Sequence, residues 1–111
     1  MTILLQKGRL RARQSAAPRD IAKAHRLRAL AFGCDDADAL DAMCTHILVE
    51  DMINGEVLCC FRMLLLNAKT LATCYSAQFY ELSALERFDG AMVELGRFCT
   101  HPEHGGDPDL L

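Results

Sequence analysis

Val93-Glu94-Leu95-Gly96-Arg97-Phe98-Cys99-Thr100-His101-Pro102 is an apolar run that carries one carboxylate and one guanidinium and closes on a proline. An apolar stretch of this length reads as a buried strand, where an isolated charge costs several kcal/mol to desolvate unless it is paired or used. Glu94 and Arg97 therefore need partners or a purpose. They also stand three residues apart, which in a regular strand places them on opposite faces. A β-bulge near Gly96 is expected to bring both to one side, and bulges recur beside active sites.

The rest of the chain supplies further charges inside apolar elements. Pro18 suits a first helical turn, Asp20 complements the helix dipole and Gly33 is placed to end the helix, so residues 18–32 are expected to be helical. On a helical wheel Leu27, Ala31, Ala24, Ile21 and Phe32 form one apolar arc, and Arg28 falls inside it. Arg28 is either buried and paired or a snorkelling residue at the helix end. A strand is expected over 46–53, the Asn54-Gly55 dipeptide marks a hairpin, and residues 56–66 return as a strand apolar on both faces and therefore central. That returning strand contains Arg62. Ahead of them, residues 9–13 alternate basic and apolar, the pattern of a half-buried edge strand with a cationic outer face. Residues 34–45 form an acidic loop with a short helix, residues 83–87 a second short helix, and Asp89-Gly90 a turn; the text after Pro102 is a loop.

Composition bounds the class. The 111 residues allow one domain, and 51% hydrophobic with 24% charged residues is globular usage that argues against disorder. The net charge of −3 conceals an asymmetry: residues 1–28 hold eight of the twelve Lys and Arg against one acid, and the remainder holds fourteen acids. Two readings stand: the basic part meets an acidic partner or an anionic surface, or the two parts neutralise each other in the fold. The six cysteines show no CxxC spacing and mostly sit in apolar runs, as small core residues of a reducing cytosol. No signal peptide and no membrane span is read, so a soluble cytoplasmic protein is expected, with contact to a membrane surface left open. No nucleic-acid motif is present. His101-x-x-His104 has a metal-like look, but Pro102 prevents a helix holding the pair and no metal site is expected. His46 is expected to begin its strand as a hydrogen-bonded residue, and Met43, Met52, Met63 and Met92 to fill core.

Phe79 to Leu82 with Leu85, the run 94–102, and Asp38-x-x-Asp41-x-x-Cys44-x-His46-Ile47-Leu48-Val49 together resemble the N-terminal half of the ornithine N-acyltransferases. These are GNAT-type enzymes that move a hydroxyacyl chain from acyl carrier protein to the α-amino group of ornithine, in ornithine-lipid synthesis. The spacing of Arg28, Phe32, Asp41, Arg62, Glu94 and Arg97 is also similar to the acyl-homoserine-lactone synthases, which share fold and donor. Cys44, where those synthases tend to carry an acid, and Gly33-Cys34 after Phe32 favour the ornithine-type enzymes. The likeness runs over most of residues 9–109. Both families continue into a further strand and a loop that grips the donor's phosphopantetheine, so the chain resembles half an enzyme.

The resemblance implies an α/β (α+β) fold of GNAT type, a mostly antiparallel central sheet with helix 18–32 packed on it. It implies acyl-acyl carrier protein as donor, no bound cofactor, a small amino acid as acceptor, Glu94 as catalytic residue, and Arg28, Phe32, Asp41, Arg62 and Arg97 as substrate-binding residues. An amine attacks a thioester only when deprotonated, and an α-amino group titrates near ~8, so a modest base suffices. Glu94 is the candidate base or ammonium ligand; its alternative is a structural salt bridge with Arg28 or Arg62. The arginines suit a carboxylate, and Asp41 the cationic end of ornithine. The reading from another class is a catalytically silent module that binds an amino acid or docks acyl carrier protein through Arg9, Arg11 and Arg13. The edge left by the opening strand is expected to favour a homo-oligomer.

Overall fold

A computed structural model describes residues 2–104. Six elements of regular structure follow in order: β1 (Thr2–Lys7), β2 (Leu10–Ser15), α1 (Pro18–Phe32), β3 (Thr45–Asp51), β4 (Val57–Leu66) and β5 (Met92–Thr100). The strands form one antiparallel sheet in the order β1-β2-β3-β4-β5, and α1 packs on β3, β4 and β5. This is the expected GNAT-like α/β arrangement. Short 3₁₀ turns at Ala39–Met43, Leu71–Thr73, Ser76–Gln78 and Ser83–Arg87 fill the connections. The loop expected after Pro102 begins as a turn, and its residues 105–109 lie outside the described ones.

Local chemistry sets the boundaries of α1. Pro18 occupies its first turn, and Gly33 ends it in the left-handed conformation at φ 78°, its N–H bonding Ala29 C=O at 2.9 Å. Ala24 and Leu27 bury against Leu48, Cys60 and Cys99, a core made of small and branched residues that lets the helix approach the sheet closely. Cys44, Leu64, Leu66, Leu71 and Cys74 form a second core under the 3₁₀ turns. Cys59 and Cys60, adjacent in β4, are both buried and face opposite sides of the sheet, as strand geometry requires. All six cysteines are free.

Two sequence expectations change. Residues 10–15 are not at the edge: β1 pairs outside them, so β2 lies between two strands. Its basic residues meet acids of α1 and β3. Arg13 is buried and bonds Asp20 through Nη1 and Nη2 at 2.8 Å and Glu50 through Nε at 2.8 Å, while Arg11 bonds Glu50 and Arg9 bonds Asp51. The basic segment is thus largely neutralised within the fold, and Arg13 is closed to a docking partner. Second, Met43 and Met52, expected to fill core, are exposed. β4 is central as expected, paired with β3 and β5; Leu58, Cys60, Arg62, Leu64 and Leu66 are buried on its helix side, and on the other side Cys59 is buried while Leu65 is 72% exposed.

The bulge near Gly96 is present. Arg62 pairs with Gly96 and Cys60 with Cys99, so Phe61 alone opposes both Arg97 and Phe98. Arg97 takes the turn at φ 54°, a left-handed conformation that costs a non-glycine residue about 1–2 kcal/mol. An outlier of this kind persists where the surrounding structure over-determines it, which makes Arg97 a candidate for the site.

Candidate functional site

The site is built on a capping box. Asp38 precedes the 3₁₀ turn Ala39–Met43; its Oδ1 accepts the Leu40 N–H at 3.1 Å, and Asp41 Oδ2 accepts the Asp38 N–H at 3.2 Å. This fixes two carboxylates side by side beneath α1. Asp41, 3% exposed, then accepts from Arg28 Nη1 at 2.7 Å, Arg62 Nη1 at 3.0 Å and His25 Nε2 at 2.8 Å. His46 places its Nε2 2.8 Å from the Asp41 carbonyl oxygen, the hydrogen-bonded role its strand position suggested. Asp38 accepts from Arg62 Nη1 at 2.6 Å and Arg97 Nη2 at 3.2 Å, and Asp36 from Arg28 Nε at 2.8 Å. Three arginines and three aspartates therefore interlock, drawn from α1, the acidic loop, β4 and β5.

The mutual pairing favours the charged forms of Asp38, Asp41, Arg28 and Arg62. Burial pushes the Asp41 carboxyl up, but hydrogen bonds from Arg28, the Asp38 N–H, His25 and Arg62 outweigh it and hold the group well below the usual carboxylate range. Arg62 lowers Asp38 in the same way. Burial opposes the charge on Arg28 and Arg62, and their aspartate partners more than restore it.

Glu94 lies beside this lattice in a different environment. Its Oε1 accepts the Tyr75 N–H at 2.9 Å and its Oε2 the Ser76 N–H at 2.7 Å. Burial raises its pKa, the Ser76 and Tyr75 donors lower it, and the net shift is downward. Among the described residues Glu94 makes no ion pair with Arg28 or Arg62, so the salt-bridge alternative is not what holds it. The two sides meet at Tyr75: its ring lies 4.7 Å from the Arg97 guanidinium carbon and 6.0 Å from that of Arg62. The bulge thus does place Glu94 and Arg97 on one side.

The sequence-derived site residues separate into two groups. Arg28, Asp41 and Arg62 come together, yet each is under 5% exposed, and all three nitrogens of Arg28 are bonded within the protein. Glu94 and Arg97 are half-buried and reachable. Arg97 ion-pairs with Asp36 through its buried Nε at 3.2 Å, in a geometry that makes no hydrogen bond, and with Asp38 through Nη2 at 3.2 Å. Phe32 is 45% exposed at the end of α1. Asp36, His25, Tyr75 and Ser76 were not indicated by the sequence. The spacing Asp38-x-x-Asp41 signals a capping box, whereas Tyr75 and Ser76 join the site through tertiary contact that leaves no local pattern.

The profile of the acetyltransferase (GNAT) domain family matches residues 22–110. The chain belongs to that family. It is also 29% identical over 82 residues to the L-ornithine N(alpha)-acyltransferase of Rhodobacter capsulatus, a match covering 68% of this chain and 32% of the relative. The chain thus spans about a third of that relative's length. No solved structure matches it. Among the described residues no helix is long and apolar enough to cross a membrane.

Proposed function

We propose that this GNAT domain transfers an acyl group from the thioester of acyl carrier protein to the α-amino group of ornithine, as part of a longer cytoplasmic enzyme of ornithine-lipid synthesis. The observation that carries the reading is the half-buried Glu94 carboxylate and the Arg97 guanidinium on one side of β5, bridged by the backbone and the ring of Tyr75. A small zwitterion presents an ammonium and a carboxylate a few ångströms apart, and Glu94 and Arg97 offer it one carboxylate and one partly exposed guanidinium. The name of the Rhodobacter capsulatus relative supports ornithine as the acceptor.

The chemistry follows from the direction of the Glu94 shift. A carboxylate held below its usual pKa is a weak base but a firm partner for an ammonium, so Glu94 binds the α-ammonium and directs its proton to water. The freed lone pair attacks the thioester carbonyl carbon, the C–N bond forms and the C–S bond breaks. The second amine proton leaves to neutralise the departing thiolate. Arg97 orients the acceptor carboxylate, and Arg28, Asp41 and Arg62 act behind it, fixing Asp38 and the bulge.

The test is ornithine-dependent release of free thiol from acyl-acyl carrier protein by the full-length protein. Thiol release with ornithine is expected, and the absence of release with every amino acid tried defeats the transfer reading. The second reading, binding without transfer, is favoured by the depressed pKa of Glu94, which suits a ligand better than a base. Calorimetric binding of ornithine without thiol release would select it.

A further inference from the structure

His101 and His104 stand outside the arginine and aspartate lattice. Pro102 forbids a helix between them, and a turn brings them together instead: the His104 N–H bonds the His101 carbonyl at 2.8 Å, and the rings meet edge to face with centroids 5.3 Å apart. The sheet anchors this turn, because the His101 N–H donates to the Leu58 carbonyl at 2.7 Å. Two residues before Leu58, the hairpin between β3 and β4 delivers Glu56, whose Oε1 lies 3.3 Å from His101 Nε2. One ligating atom from each of Glu56, His101 and His104 falls within 4.8 Å of the other two.

We propose that Glu56, His101 and His104 bind a divalent ion of the zinc class, clipping the β3–β4 hairpin to the end of β5. Two imidazoles and one carboxylate form a zinc donor set, with metal–ligand distances of about 2.0–2.2 Å that require donors roughly 3.4 Å apart. Closing from 4.8 Å asks only for side-chain rotation, since Glu56 is exposed, both histidines are half-buried and the backbone beneath them is fixed. The His101 Nδ1 accepts the Glu103 N–H at 3.2 Å, so Nε2 carries the ring proton and faces Glu56. Metal at Nε2 moves that proton to Nδ1, at the cost of one exposed hydrogen bond. Lys23 and Arg26 line the same cleft of about 270 Å³ with Glu56 and His101 and oppose a cation. One carboxylate against those two charges rejects Ca²⁺ and Mg²⁺, which want oxygen ligands, and selects ions that imidazole holds.

This site does not depend on the acyl-transfer reading, and its test needs no turnover. Zinc binding is followed by calorimetry and Co²⁺ binding by visible absorption on the intact protein, because the six free cysteines compete and a thiolate ligand declares itself by a charge-transfer band. One equivalent of metal is expected, without that band, weakened more than ~10-fold by His101→Ala or His104→Ala. Circular dichroism checks that the variants fold. The proposal is overturned by no uptake at stoichiometric metal, by a thiolate band, or by a folded His104→Ala variant that binds unchanged.

Discussion

Tyr75 holds Glu94 by its backbone and Arg97 by its ring: its N–H lies 2.9 Å from Glu94 Oε1, and its ring centroid 4.7 Å from the Arg97 guanidinium carbon. One residue of an irregular segment thereby sets the separation of the two groups that β5 presents to a ligand. The backbone contact survives any side-chain change other than proline, whereas the ring contact does not.

Tyr75→Leu separates these contributions. A partly exposed cation–π contact is worth about 0.5–1 kcal/mol, up to about 2 when desolvated, so a loss of roughly 2- to 30-fold in kcat/KM for ornithine is expected. Tyr75→Phe keeps the ring and is expected to stay within about twofold of the native protein. Steady-state thiol release by the full-length protein decides, and equal losses in both variants would show that the hydroxyl matters rather than the face.

Glu94→Gln removes the charge and keeps the shape. If Glu94 binds the α-ammonium and steers its proton, the loss in kcat/KM is expected to fall at about 10²–10⁴-fold. The native pH profile carries the complementary sign. Because the folded pKa of Glu94 is depressed, its charge persists to below the ordinary carboxylate range and is lost only as the pH falls further. The acid limb of activity is therefore set by deprotonation of the amine, near pKa ~8 for an unperturbed α-amino group, and a limb at pH ~4–5 would assign the control to Glu94 with an unshifted pKa.

Much of this arrangement was legible before any coordinate. Pro18 and Gly33 bracket α1, the Asn54-Gly55 dipeptide sits in the β3–β4 hairpin, and the conflict between Glu94 and Arg97 in one strand implied the bulge at 97–98 that the register shows. The status of Arg9 to Arg13 was not legible, because an alternating strand does not declare which acids its neighbours bring; Glu50 and Asp51 of β3 and Asp20 of α1 turned a cationic face into internal ion pairs. The roles of Tyr75 and Asp36 were hidden for a related reason. Each lies in a segment without periodicity and enters the site through contacts distant in sequence, 19 residues away for Tyr75 with Glu94 and 61 for Asp36 with Arg97.

Arg97 combines a strained backbone with a partly exposed side chain, and Arg97→Gly sets the two against each other. Glycine relieves a left-handed conformation worth about 1–2 kcal/mol. The ion pairs lost, to Asp36 and Asp38 at 3.2 Å, involve a side chain 20% exposed and contribute about 1 kcal/mol or less each after screening. The denaturation midpoint is expected to stay nearly unchanged while ornithine binding fails. A large fall in stability would show that the guanidinium is structural before it is functional.

Asp41 is the opposite case, with its acceptors enclosed. Asp41→Leu leaves Arg28 and Arg62 facing an apolar group, and removing one partner of a buried ion pair costs about 3–5 kcal/mol. That is a large part of the stability of a domain this size, so the variant is expected to unfold at markedly lower urea or temperature. Asp41→Asn keeps one acceptor oxygen and is expected to lose less. The pH dependence follows the same cause: the folded pKa of Asp41 lies below its unfolded value near 3.8, so its contribution is complete above about pH 5 and is lost as the pH falls through 3.8 and below. Urea unfolding of the native protein and of Asp41→Asn between pH 7 and pH 3 checks this. The two curves are expected to converge as acid removes from the native protein what the substitution has already removed, and parallel curves would place the acid sensitivity elsewhere.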